Sequence, residues 1–239
     1  MIKLKQLLFE SGKSAGKVEV AKTPLDKARN YTSNVLNKVG RNIKNEFPNF
    51  DKNYTTVYNH IKSGKTQRKD MPAIDSGDII EFQYRLSKGY IDISKPHAPT
   101  TNTNNPFPTG LTGKRADDWL EAGLKRNDGA DSDGDDKIPI KRIKTAVGDL
   151  KPIQKQVYLD KSIHKIGRDG AKTARSFLGK SVYIVSSDNY IIDGHHRYLT
   201  AMLIDPTIQV NTLSIDLPLS KLLPLATAYG DTIGNKRNA

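Results

Sequence analysis

Cysteine is absent from all 239 residues, which excludes a disulfide scaffold, a thiolate metal site and a cysteine nucleophile. Aromatic side chains are sparse, at 7% with a single tryptophan, and no apolar run is long enough to cross a bilayer. The opening segment 1–10 has only a short apolar patch and no small-residue cleavage site, so it reads as neither a signal peptide nor a membrane span. These absences fit a cytoplasmic chain with no membrane partner. Hydrophobic residues, at 36%, suffice at this length for one large domain or two small ones.

Basic charge, by contrast, is abundant. Lys and Arg number 38 against 26 Asp and Glu, a net +12. Such a surplus favours polyanionic partners: nucleic acid, nucleotides or the interior of a virion. Residues 1–75 hold 15 basic and 7 acidic side chains. DNA contact through this region is one expectation, and plain solubility is the other.

The patterning predicts an α+β chain in three segments: a basic helical region over 1–93, a linker over 94–139 and a mixed α/β domain with a small sheet over 140–234. Residues 1–22 read as an arm or a loosely docked helix. Thr23 is a good N-cap, Pro24 fits the first helical position and Asp26 completes a capping-box-like pair. From there Leu25, Ala28, Thr32, Val35, Leu36, Val39 and Ile43 follow helical spacing up to Pro48. A second helix is expected over 53–63, followed by the basic stretch 62–69. A third is capped by Ser76, turns Ile79, Ile80, Phe82 and Leu86 inward and stops at Gly89. These helices suit a small DNA-binding bundle or one that merely packs on the next domain; no sharp helix-turn-helix signature separates the two.

Residues 94–114 are rich in Pro, Asn, Thr and Gly and read as linker, with a short helix over 115–126 around Trp119. The acidic run 127–136 invites comparison with a calcium loop. Aligning Gly134 with the turn glycine puts Gly129 at the first ligand position and Ile140 at the twelfth, where a Glu is required. The match fails at both ends, leaving a solvated acidic loop. Strands are then expected at 143–147, 182–186, 190–192 and 210–215. Between and after them come a turn at 148–152, a hairpin turn at 187–189 and helices at 157–166, 195–204 and 218–229.

The chemistry concentrates in Asp193-Gly194-His195-His196-Arg197, where a strand ends and a helix begins. First-turn N–H groups lack intrahelical acceptors and the helix dipole is positive there, which suits phosphate. Gly194 permits the tight turn, His196 and Arg197 add directed donors, and Arg can grip phosphate bidentately. Asp193 can hold Mg²⁺ or accept a hydroxyl proton. Two alternatives stand beside this reading: histidines satisfied by local hydrogen bonds, or a paired-His zinc site. Adjacent histidines do not share a helix face, which counts against the second.

This run, in its strand-turn-helix setting, resembles the signature of the ParB/sulfiredoxin superfamily over residues 140–230. Its Asp-Gly-His-His-Arg form is most similar to the ADP-dependent free-serine kinases and to ParB-like proteins of phages. Sulfiredoxins carry Gly-Cys-His-Arg, so His196 and Arg197 correspond to their phosphate-contacting pair while His195 replaces the cysteine, which excludes sulfiredoxin chemistry. ParB proteins carry Gly-Glu-Arg-Arg, of which Arg197 is retained. Upstream, residues 150–154 resemble the Arg-Pro turn with Lys151 in the basic position, and Asp160-Lys161-Ser162 resembles a helix start whose Lys reaches phosphate. The resemblance implies a sulfiredoxin-like fold and a nucleotide site formed by Gly194, His196, Arg197, Lys151 and Lys161. It also implies the catalytic candidates Asp193, His195 and His196, with Asp193 as base or metal ligand. Gln154 stands where the kinases use a Glu and cannot act as a base. The implied function is a Mg²⁺-dependent, kinase-like phosphotransferase or nucleotide hydrolase using ATP, ADP or CTP. The alternative is a ParB-like DNA-associated protein or nuclease, of phage origin and located in the host cytoplasm or virion.

Overall fold

The computed structural model describes residues 23–74, 77–94, 114–124 and 136–235. The expected arm 1–22, the Ser76 cap, the linker 95–113, the acidic run 127–135 and the last residues 236–239 lie outside the described residues. Within them the chain runs α1 (Pro24–Asn37), α2 (Ile43–Glu46), α3 (Phe50–Lys62), α4 (Asp78–Lys88), α5 (Lys114–Leu120), β1 (Ile140–Ala146), β2 (Lys151–Pro152) and α6 (Leu159–Asp169). It continues as α7 (Ala171–Lys180), β3 (Val182–Ser186), β4 (Tyr190–Asp193), α8 (His195–Ile204), β5 (Gln209–Ile215) and α9 (Leu219–Thr232). The strands form one sheet in the order β1-β5-β3-β4-β2. The chain is therefore mixed α and β, as the patterning predicts.

Two compact units divide it, and each is interleaved in sequence instead of following consecutive segments. The first takes the described parts of Met1–Thr66, Lys144–Tyr183 and Asp193–Asn211. Its hub is α8, on which α3, α6 and α7 all pack and whose residues from Tyr198 to Ile204 are all buried. A helix apolar on every face belongs in a core. The Thr23 capping box is present: Asp26 N–H donates to Thr23 Oγ1 at 3.2 Å, and Thr23 N–H donates to Asp26 Oδ2 at 3.1 Å. The apolar spacing from Leu25 to Ile43 predicts one helix, but α1 ends at Asn37. The chain turns at Gly40 (φ +69°) and restarts behind Asn42, whose Oδ1 accepts the Lys44 N–H at 2.8 Å. Val39, expected inside, is 52% exposed on this turn.

The spacing offers no expectation for α7. Only Ala171, Ala174 and Leu178 are buried along it, a stripe too narrow to stand out. Its first N–H group is satisfied from α2, where Glu46 Oε2 accepts from Ala171 N at 2.6 Å while Arg41 holds the other oxygen at 2.9 Å.

The second unit takes the described parts of Gln67–Ile143, Ile184–Ile192 and Thr212–Ala239. There α4 buries Ile79, Phe82 and Leu86, and Gly89 closes it. Ile80, expected inward, is 71% exposed, because the i, i+3, i+7 stripe leaves position 80 off the packed face. The 187–189 turn is the expected hairpin, with Asn189 at φ +65° and Tyr190 N–H donating to Ser186 Oγ at 3.0 Å. Asp188 from that turn accepts the Leu219 N–H at 3.0 Å and so caps α9. Phe82 and Tyr229 pack ring against ring, with centroids 4.9 Å apart. No described helix is long and apolar enough to cross a membrane.

Candidate functional site

The sequence-predicted run lies wholly in the first unit, at the start of α8. Asp193 ends β4, Gly194 is the N-cap, without a side chain of its own to cap the turn, and His195 opens the helix. Gly194 sits at φ +116°, where L side chains are disfavoured, and a Cβ there would fall 2.7 Å from Tyr183 Cδ1. Backbone shape and the close passage of the β3 tyrosine both require glycine.

Arg197 reaches back one turn, its Nη2 donating to Asp193 Oδ2 at 2.6 Å. Its guanidinium carbon lies 5.4 Å from the centre of the Tyr183 ring, a cation–π arrangement. The pair is half-exposed, yet Arg197 Nε is inaccessible and donates to nothing among the described residues. Tyr183 is fully buried and its hydroxyl has no hydrogen-bond partner there either. Burial pushes this phenol far up, partly offset by the Arg197 charge, so it stays protonated. Two unsatisfied buried polar groups thus flank one helix start.

The two histidines play different parts. His195 is buried, and its Nε2 accepts from the backbone N–H groups of Ile153 at 3.2 Å and Gln154 at 3.4 Å. An imidazole nitrogen that accepts carries no proton, so the ring is the Nδ1–H form and its lone pair is spent on the chain. His195, a catalytic candidate from sequence, therefore serves as an anchor for residues 153–154. His196 is half-buried and stacks on Tyr158, with centroids 6.1 Å apart and planes 9° apart. Its carbonyl accepts from Thr200 Oγ1 at 2.8 Å and Ser162 Oγ at 3.3 Å, tying α8 to α6.

The two candidate lysines are placed by different elements. Lys161, exposed on α6, holds its Nζ 5.3 Å from the centre of the Tyr158 ring, next to the His196 stack. Lys151 is exposed on β2, the strand beside β4 in the sheet order. Gln154 is buried, and its Oε1 accepts no hydrogen bond among the described residues.

Sequence reasoning missed three contributors: Tyr158, Tyr183 and the segment 64–66. Lys65 N–H and Thr66 N–H both donate to Ile153 O at 2.8 Å, and Lys155 N–H returns to Thr66 O at 2.9 Å. Gly64 makes this docking possible, since a Cβ there would meet Gln154 O at 2.7 Å. That glycine, inside an otherwise basic stretch, was the one available signal.

Among the described residues no three His, Asp or Glu side chains group as metal ligands. Compared with known proteins, the chain matches no protein-family model, no curated protein and no solved structure.

Proposed function

We propose that this chain binds a nucleotide with its phosphates on the turn Asp193–Arg197, and that it is a phosphotransferase or nucleotide hydrolase of the ParB/sulfiredoxin type. The observation that carries the reading is Arg197. One of its nitrogens is held by Asp193 and another is buried without an acceptor among the described residues, at a helix start whose N-cap is a glycine. The half-exposed guanidinium can offer its accessible nitrogens to a phosphate oxygen, while the helix dipole stabilises the charge. Lys161 supports the same reading from α6.

In this account Asp193 accepts the proton of the acceptor hydroxyl or water as its oxygen bonds to the terminal phosphorus and the bridging oxygen leaves. Arg197 offsets the charge that builds on the transferred group. His196 lies against Tyr158 and helps orient the phosphate. Magnesium fits the donor set as an ion carried by the phosphates, since Mg²⁺ commonly takes one or two carboxylates and completes its shell with phosphate and water. Asp193 would be its protein ligand, and the ion would supply further charge compensation.

A second reading, a DNA-associated protein, is favoured by one separate observation. Lys141 and Arg142, both of the second unit, are exposed on β1, which ends the sheet. Lysines on an edge strand also discourage strand pairing, which is the plainer account of β1.

Titrating ATP, ADP and CTP with Mg²⁺ into wild type and Arg197→Ala tests the proposal. Nucleotide binding that weakens at least tenfold in the variant supports it. A folded wild-type chain that binds none of the three, yet binds duplex DNA with a steep salt dependence, favours the second reading instead.

A further inference from the structure

A cavity of about 490 Å³ lies beside α6, lined by Tyr31 of α1 and by Asp160, Lys161, His164 and Arg168. All five residues belong to the first unit. Positions 160, 164 and 168 repeat at i, i+4 and i+8, so one face of α6 forms the floor. Two features distinguish it from an ordinary charged helix face. Asp160 Oδ1 is inaccessible to solvent yet accepts no hydrogen bond among the described residues. A carboxylate with one oxygen buried and without a donor has its other oxygen, Oδ2, left to accept from a ligand hydroxyl or amine. Tyr31 forms the facing wall, half-buried, and its phenol is pushed up by burial and then by the Asp160 charge.

The cavity does not read as a second phosphate site. Arg168 spends its Nε and Nη2 on Asp169, at 2.7 and 2.9 Å, so its charge is already compensated. Asp160 would repel an anion. Lys161 has no ion-pair partner among the described residues, and it belongs to two places at once: it lines the cavity, and its Nζ lies over the Tyr158 ring that stacks on His196. Lys161 thus links the cavity to the first turn of α8 through the Tyr158 ring.

From this arrangement we infer that the cavity receives the nucleoside part of the ligand whose phosphates sit at Asp193–Arg197. Asp160 accepts from the ribose hydroxyls, the Tyr31 ring packs against the sugar or base, and Lys161 faces the phosphate chain. An acidic side chain on ribose hydroxyls is a common solution for nucleotides, and aromatic faces take bases with little regard to identity. The inference rests on the proposed phosphate site and adds the ligand class and orientation.

The test compares ADP and CDP with their 2′,3′-dideoxy forms and with inorganic pyrophosphate, by calorimetry on the full chain, in wild type and Asp160→Asn. At least one diphosphate is expected to bind tighter than pyrophosphate and to lose about tenfold in affinity without its ribose hydroxyls. Asp160→Asn should impose a similar loss on the ribonucleotide, add little to the dideoxy loss, and leave pyrophosphate unchanged. The dideoxy comparison needs no variant, so it stands even if Asp160→Asn folds poorly. Equal binding of ribo and dideoxy forms, or of nucleotide and pyrophosphate, would overturn the nucleoside assignment while leaving the phosphate site intact. No binding of any of these ligands would overturn both.

Discussion

Arg197 Nη2 lies 2.6 Å from Asp193 Oδ2, so the one arginine of the motif is held by the one carboxylate of the motif. This ion pair bridges the end of β4 and the first turn of α8 and orients the guanidinium over Tyr183. It also sets up a competition, because an incoming phosphate must share Arg197 with Asp193.

That competition gives Asp193→Asn a distinctive outcome. Neutralising the carboxylate frees Arg197 and removes a negative charge from the helix start, so phosphate affinity should hold or rise. Turnover should fall by roughly 10²-fold or more if Asp193 takes the acceptor proton. Calorimetry paired with phosphate release separates the two effects. Unchanged turnover would remove Asp193 from catalysis.

Gly194→Ala should destabilise the fold by roughly 1–3 kcal/mol, the usual strain of a side chain in a disfavoured backbone region. The predicted Cβ contact of 2.7 Å with Tyr183 adds to it. Urea unfolding followed by circular dichroism measures the change. A variant as stable as wild type would mean that the turn adopts another conformation.

His195→Ala distinguishes an anchor from a catalyst. The substitution strips the acceptor from two backbone N–H groups, of Ile153 and Gln154, and should cost about 1–3 kcal/mol. Turnover per folded molecule should change little. A large loss of turnover at unchanged stability would restore His195 as a catalytic residue.

His60 carries the pH dependence. It lies on α3 with Nδ1 at 2.7 Å from the Tyr198 hydroxyl of α8, and burial lowers its pKa below the ordinary 6.5. Above that value the ring is neutral in both folded and unfolded chains, and the stability it supports is complete. As pH falls below 6.5 the unfolded chain takes up a proton that the folded one resists, so stability drops until the folded ring also protonates. Unfolding free energies of wild type and His60→Gln, measured from pH 7.5 downward, should converge as pH falls through this window. A constant difference across it would show that His60 does not couple to folding.

Local signals in the sequence were legible where the structure satisfies them locally. The Thr23–Asp26 capping box and the hairpin turn at Asn189 depend on neighbours within a few residues, and the strand 182–186 and the helix 195–204 are apolar runs bounded by local turn signals. What escaped depends on distant partners. The cap of α7 comes from Glu46, 125 residues away, and the two donors to His195 come from 41 and 42 residues away. The same holds within the motif. Its position at a strand-helix junction could be read from spacing, whereas the different duties of its adjacent histidines could not. One ring meets the 153–154 backbone and the other meets Tyr158, and both partners arrive through packing of the first unit. Glycine misled once and informed once: Gly40 broke an apolar stripe that otherwise read as continuous, while Gly64 marked a close backbone approach.

Phosphate bound on the first turn of α8 would perturb the amides of that turn, so their chemical shifts are the decisive measurement. With ¹⁵N-labelled protein and assigned resonances, adding ADP or pyrophosphate should move the backbone amides of Gly194, His195, His196 and Arg197 in a saturable way. Arg197→Ala should abolish most of that response. Saturable shifts confined to other segments, or no shifts at millimolar ligand with the protein folded, would contradict the account.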